Sequence, residues 1–277
     1  MDIEMKYHNV YYYCNVVSNI IEYMQADFLT KLSEFSHSYL DEIPEKYCKE
    51  SVLILFCRWS VKCIMDEDME TEIQTLKLRL DNLDNNDEER IKKAFWYDDT
   101  YFSFEVERAI EFYFGEKNTF YDWLIEEPFD LLEDAFDDYL IGLWIAGRYE
   151  DVVDRIANEM FYILFQNRDF LLNFNHYLSI VHDHRFKHVY LPQWVKRAVF
   201  FRDRGKCVVC NKDLSGQWSI VETGSVHYDH MVSLENGGLN DISNIQLLCD
   251  TCNLEKGVRS DTNNVYQNWY EMSDDNE

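Results

Sequence analysis

Residues 225–257, "SVHYDHMVSLENGGLNDISNIQLLCDTCNLEKG", concentrate side chains suited to acid–base and metal chemistry. Asp229 and His230 are adjacent, Asn244 follows a glycine-containing loop, and Asn253 follows a CxxC pair. An imidazole can take a proton from water while a neighbouring carboxylate holds a cation, and amide side chains can fix a loop or complete the coordination. Metal-assisted phosphodiester hydrolysis needs these functions: water activation, charge neutralisation at phosphorus and stabilisation of the departing oxygen.

Two CxxC pairs, Cys207/Cys210 and Cys249/Cys252, frame the stretch. Thiolates three residues apart reach one ion from a tight turn, and two such turns complete a tetrahedral Zn²⁺ site. Between Cys210 and Cys249 lie 38 residues, more than a minimal zinc ribbon holds, so substantial structure sits between the knuckles. A closed four-cysteine site has no open position, so this zinc is expected to be structural. The competing reading is four buried free cysteines. Cys14, Cys48, Cys57 and Cys63 are scattered through helical-looking sequence and read as small apolar core residues.

The elements that must position these groups follow from glycine usage and periodicity. Residues 1–190 contain three glycines and the remaining 87 contain six, which separates a helical part from one built of hairpins and turns. Tyr13, Val17, Ile20, Met24, Phe28, Leu32, Phe35 and Tyr39 recur at helical spacing. Pro44 is expected to open a second helix through "KYCKESVLILFCRWSVKCIM", with a polar break at 80–90. Phe102 to Tyr113 and Val152 to Leu164 mark further helices. The expectation is an all-α domain of six to eight helices over 1–184, a linker at 185–192, and a small α+β domain at 193–277. Pro192 starts a short helix, "HYDH" ends a strand, and "IQLLCDTCNLEKG" leads into a helix through the second knuckle.

The chain is acidic, with a formal charge of −26 over 277 residues. Residues 1–190 carry 18 Lys and Arg against 39 Asp and Glu, and residues 191–277 carry 8 against 13. Such acidity opposes nucleic-acid binding and favours solubility or a basic partner. No apolar run is long enough to cross a membrane. The first residues carry acids where a secretion signal would be basic, so the expected location is cytoplasmic, which also suits thiols that hold metal.

The pieces "LPQWVKRAVFFRDRGKCVVC", "YDH", "GGLNDISNIQLLCDTCN" and "KG" together resemble the HNH (His-Asn-His) nuclease family, over about 190–260. The resemblance implies a ββα-metal fold stapled by zinc and hydrolysis of DNA phosphodiesters. His230 matches the general base, Asp229 a ligand of the catalytic Mg²⁺ or Mn²⁺, and Asn244 the central Asn that holds the loop and orients the base. Asn253 stands where the last His of the name often stands and serves as second metal ligand. Cys207, Cys210, Cys249 and Cys252 match the zinc knuckles. Lys256, with Arg259 nearby, is a candidate phosphate contact. The 3′ oxygen is expected to leave, giving a 5′-phosphate end, and bacterial or phage-related defence is the expected setting.

Other readings stay open. The segment could be a non-catalytic zinc module joined to a helical interaction domain, or a nuclease acting on RNA. His227 reads as a spectator or a substrate contact, and Lys256 and Arg259 as phosphate contacts or solvated cations. His182, His184 and His188 read as a polar linker rather than a metal site. Glu126, Glu127, Asp130, Glu133, Asp134, Asp137 and Asp138 fall at helical spacing opposite Phe129, Leu132, Phe136 and Leu140. They form either a solvated face or a surface that meets a basic protein partner or a second copy, or shields the nuclease groove.

Overall fold

The computed structural model describes residues 7–23, 26–39, 45–81, 88–97, 100–117, 119–126, 131–182, 185–216 and 226–263. Among these, nine helices precede the last segment: α1 (Val10–Tyr23), α2 (Ala26–Tyr39), α3 (Val52–Asp81), α4 (Glu88–Phe95), α5 (Glu105–Phe114), α6 (Phe120–Glu126), α7 (Leu132–Ile145), α8 (Arg148–Leu164) and α9 (Arg168–Val181). Between α4 and α5, Trp96–Tyr97 (β1) pairs antiparallel with Thr100–Tyr101 (β2). Then come α10 (Gln193–Arg202), β3 (Val226–His230), β4 (Ile245–Cys249) and α11 (Asp250–Lys256). The protein is mainly helical with a small ββα element at its C-terminal end.

By internal contacts the chain gathers into two compact units, Met1–Tyr13 with Cys57–Met160 and Cys14–Phe56 with Phe161–Glu277. Residues 14–56 and 161–181 thus cluster with the C-terminal segment.

In the first unit the core is aromatic: Phe104 stacks on Phe136 at 4.4 Å between centroids, and Phe120 meets Phe136 edge-on at 5.1 Å. Two buried carboxylates are satisfied inside it. Glu105 accepts from Tyr7 Oη at 2.8 Å and Asn9 Nδ2 at 2.7 Å and pairs with Arg108 at 2.9 Å. Glu107 accepts the Phe104 N–H at 2.8 Å and the Phe120 N–H.

In the second unit Phe56 packs between Phe35 and Phe174, at 5.3 and 4.9 Å between centroids, and Tyr177 Oη donates to Leu32 O at 2.6 Å. A buried charge cluster joins α9 to the ββα element. Asp203 accepts from Arg202 Nε at 2.8 Å and Nη2 at 2.9 Å, from Arg168 Nη1 at 3.3 Å, and from the Leu247 N–H of β4 at 2.9 Å. Arg168 also donates to Asn263 O through Nε at 2.6 Å.

Three local expectations change. The apolar face over Tyr13–Tyr39 is divided between α1 and α2, and its Met24 and the Phe28 side chain lie outside the described residues. The helix expected from Pro44 begins at Val52, because Asp241 Oδ2 accepts the Val52 N–H at 2.9 Å and Ser51 Oγ that of Ile54 at 3.2 Å. The acidic stripe is not one helix: α6 ends at Glu126, α7 starts at Leu132, and Glu127, Phe129 and Asp130 fall outside the described residues. Within α7, Leu132 and Phe136 are buried, Asp134, Asp137 and Asp138 are exposed, and Glu133 pairs with Lys77.

Candidate functional site

Strand β3 ends where β4 begins, with His230 opposite Ile245, and the loop between them, 231–244, is closed by one side chain. Asn244 is fully buried. Its Oδ1 accepts the Val232 N–H at 2.9 Å, and its Nδ2 donates to Val232 O at 2.9 Å and Leu239 O at 3.0 Å. The loop is so tight that a Cβ on Gly238 would overlap Val232 O and stand 2.8 Å from Asn244 Nδ2. Only glycine fits there. Asp241 holds the loop from the other side, taking the Ser243 N–H at 2.9 Å as well as that of Val52, and Asn175 of α9 reaches Ser243 Oγ at 3.3 Å.

His230, at the loop entrance, has Nε2 3.2 Å from Asn240 Oδ1 and 3.2 Å from Tyr47 Oη. Burial lowers its pKa to about 4, against the opposing pull of Asn240 and Asp229, while His188 and Lys256 push the same way as burial. The ring is therefore neutral at neutral pH and able to accept a proton.

Asp229 and His227 share the other face of β3, and α11 lies against it. Lys256 Nζ is 2.8 Å from Asp229 Oδ2 and donates to His230 O at 2.8 Å. With 4% of its surface exposed, Lys256 is an internal strut and not a solvated cation, because a half-buried carboxylate needs a charge partner. Arg259 is exposed and donates back to Lys256 O at 3.2 Å. His227 bridges to α11, with Nε2 3.1 Å from Asp250 Oδ1 and Nδ1 3.4 Å from Asn253 Nδ2. Since the amide nitrogen of Asn253 faces His227, its oxygen is the atom left to bind a cation.

The four cysteine sulfurs all lie within 4.8 Å of one another, and Cys210 Sγ is 3.7 Å from Cys249 Sγ. A tetrahedron of Zn–S bonds of about 2.3 Å has edges of about 3.8 Å, so the donors fit this ion. Burial and the neighbouring thiols push the Cys252 thiol up, and burial likewise raises Cys210. Several thiolates this close repel one another unless a cation sits among them. Cys249 also caps α11, accepting the Cys252 N–H at 3.5 Å.

A family model described as HNH endonuclease matches residues 207–259. The segment is similar to HNH endonuclease domains, and its four clustered cysteines agree with that likeness. No curated protein and no solved structure matches the chain. HNH domains are in general nucleases, which act on nucleic acid. No helix among the described residues is long and apolar enough to cross a membrane.

Two parts of the HNH surroundings escaped sequence reasoning. Tyr47 lies 183 positions from His230 and carried no local signal. The second was visible but averaged away: residues 185–212 hold eight Lys and Arg and one acid, Asp203. Arg202 of this run is buried, whereas Arg185, Lys187, Arg197, Arg204, Lys206 and Lys212 are exposed. The run passes the HNH site: Lys187 O accepts from Asn240 Nδ2 at 2.8 Å, and Lys196 Nζ stands 6.0 Å from the Tyr228 ring centroid on β3. Of the linker histidines, His182 meets Phe186 ring to ring at 5.4 Å, His188 is exposed, and His184 lies outside the described residues.

Proposed function

We propose that the protein is a metal-dependent endonuclease that hydrolyses phosphodiester bonds of duplex DNA, with His230 as general base. The observation that carries this is a neutral, tethered His230 beside Asp229 within the matched segment. Asp229 and Asn253 present hard oxygen donors, which suit Mg²⁺ or Mn²⁺. When bound, that ion supplies positive charge for the phosphorane and the departing 3′ oxygen. Lys256 holds the Asp229 carboxylate and the His230 carbonyl, so that both groups keep their places. Asn244 keeps the loop closed behind the base. His230 takes the proton of the attacking water, and a 5′-phosphate end results.

The basic run at 185–212 supplies the phosphate contacts that a chain of charge −26 otherwise lacks. The acidic helices of the 1–184 region are proposed to restrain cleavage until a basic partner or a second copy engages them, in a defence setting in the cytoplasm. Neutralising Asp134, Asp137 and Asp138 together in the full chain should then raise the cutting rate.

The deciding experiment is cleavage of supercoiled plasmid with Mg²⁺ or Mn²⁺, comparing the natural protein with His230→Ala and running single-stranded DNA and RNA alongside. Metal-dependent cutting of duplex DNA that vanishes in the variant is expected. Preferential cutting of RNA would replace the substrate assignment. Equal residual cutting by both proteins would sink the role given to His230.

A further inference from the structure

A general base with two ring nitrogens can work only through the one that carries no proton, and the surroundings of His230 select it. Asn240 Nδ2 donates to Glu45 O at 2.9 Å and to Lys187 O at 2.8 Å. Carbonyl oxygens only accept, so the amide has one orientation: turned the other way, its oxygen would face both of them. Oδ1 is therefore presented to His230 Nε2 at 3.2 Å. An amide oxygen needs a donor, so Nε2 carries the hydrogen. With the proton on Nδ1 instead, the Nε2 lone pair would face that oxygen and repel it. Burial and the nearby Asp241 charge hold the Tyr47 phenol well above its ordinary pKa, so its Oη, 3.2 Å from Nε2, belongs to a neutral hydroxyl and accepts a share of the same N–H.

We propose that Asn240 and Tyr47 are positioning residues that lock His230 as the Nε2–H tautomer, so that Nδ1 is the nitrogen that takes the proton from water. The proton leaves the water oxygen for Nδ1, hydroxide keeps the electron pair to attack phosphorus, and the resulting imidazolium carries a proton on each nitrogen. Its Nε2–H stays on Asn240 and Tyr47, whose oxygens oppose ring rotation and stabilise the charge formed. The lock is assembled from distant sequence: Glu45 and Tyr47 precede α3, and Lys187 lies in the connection before α10. The naming of Nδ1 as base rests on the nuclease reading, whereas the tautomer does not.

The test is long-range ¹H–¹⁵N correlation on full-length, zinc-loaded protein labelled with ¹⁵N-histidine, recorded without other divalent cations. The His230 signals are identified by their loss in His230→Gln. The expected spectrum shows a protonated Nε2 and an unprotonated Nδ1 at His230. In Asn240→Ala a mixture of the two tautomers is expected. In the cleavage assay Asn240→Ala should lose about 10- to 100-fold in kcat with KM within about twofold, and Tyr47→Phe a smaller part of that loss. A proton on Nδ1 in the natural protein overturns the proposal whatever the cleavage result. An Asn240→Ala spectrum and kcat identical to the natural protein's also overturn it. A protein that shows the Nε2–H form but never cuts refutes the nuclease reading while the tautomer assignment stands.

Discussion

Replacing Asp203 by Asn tests whether the HNH domain depends on helices far upstream in the sequence. Asp203 is 1% exposed and serves two guanidinium groups and one backbone N–H, and Arg168, on α9, is itself fully buried. Asparagine keeps the shape but removes the charge and turns one oxygen into a donor. Leaving buried cations without their carboxylate costs about 3–5 kcal/mol. The new N–H₂ also faces either the Leu247 N–H and Arg202 Nη2 or Arg168 Nη1 and Arg202 Nε, and an unsatisfied buried donor adds about 1–3 kcal/mol. The sum is comparable with the whole stability of a domain, about 5–15 kcal/mol. With a urea dependence of about 2 kcal/mol per molar, the midpoint should fall by about 2 M or more, read by the fluorescence of Trp194 on α10 in the full chain. Arg168→Met should cost less, because both Arg202 contacts to Asp203 remain. Replacing Arg168, Arg202 and Asp203 together by apolar residues should recover much of the loss. A midpoint shift below about 0.5 M for Asp203→Asn would refute the reasoning. The same cluster argues that residues 186–277 alone are not a folded nuclease, since Arg168, Asn175 and the Val52 N–H all lie outside that fragment.

Three further outcomes are expected. Burial raises the Glu107 carboxyl to about 7, so the folded first unit holds a proton that the unfolded chain releases near its ordinary value of 4.5. The resulting stability is fully present below about pH 4.5 and is lost as pH rises through 7, about 3 kcal/mol in all. Glu107→Gln should remove that slope in unfolding measured between pH 4.5 and 8, and an unchanged slope would exclude Glu107 as its source. Gly238→Ala should collapse the packing of Val232 against Asn244, lowering kcat by at least about tenfold and destabilising the fold by about 1–3 kcal/mol. A variant with full activity would show that the loop yields freely. One zinc ion per chain should be found by elemental analysis, and its removal by chelation or by Cys249→Ser should unfold the ββα element even when Mg²⁺ is plentiful. Zinc-free protein that keeps its near-ultraviolet circular dichroism would contradict a structural zinc.

Local rules carried much of the molecule. The CxxC pairs, the strand ending at His230, the turn-rich loop and the helix through the second knuckle each depend on neighbours within a few residues, where spacing dictates what can meet. The apolar periodicities that became α5 and α8, and the buried face of α7, were legible for the same reason. The start of α3 was not, because the acceptor that caps Val52 is Asp241, 189 positions away. Nor could spacing show that Lys256 turns inward, since a lysine's direction depends on which carboxylate is buried beside it.

The amino-acid sequence by itself determined the chemistry available: four thiols for a metal, an Asp-His pair, and amides at the right intervals. Only the tertiary structure decided which nitrogen of His230 faces Asn240 and Tyr47. That choice depends on Asn240, Tyr47 and two backbone carbonyls at positions 45 and 187. Hydrogen-bond direction is set by partners in space, and these partners come together only when α9, the 45–51 segment and the HNH loop pack into one unit.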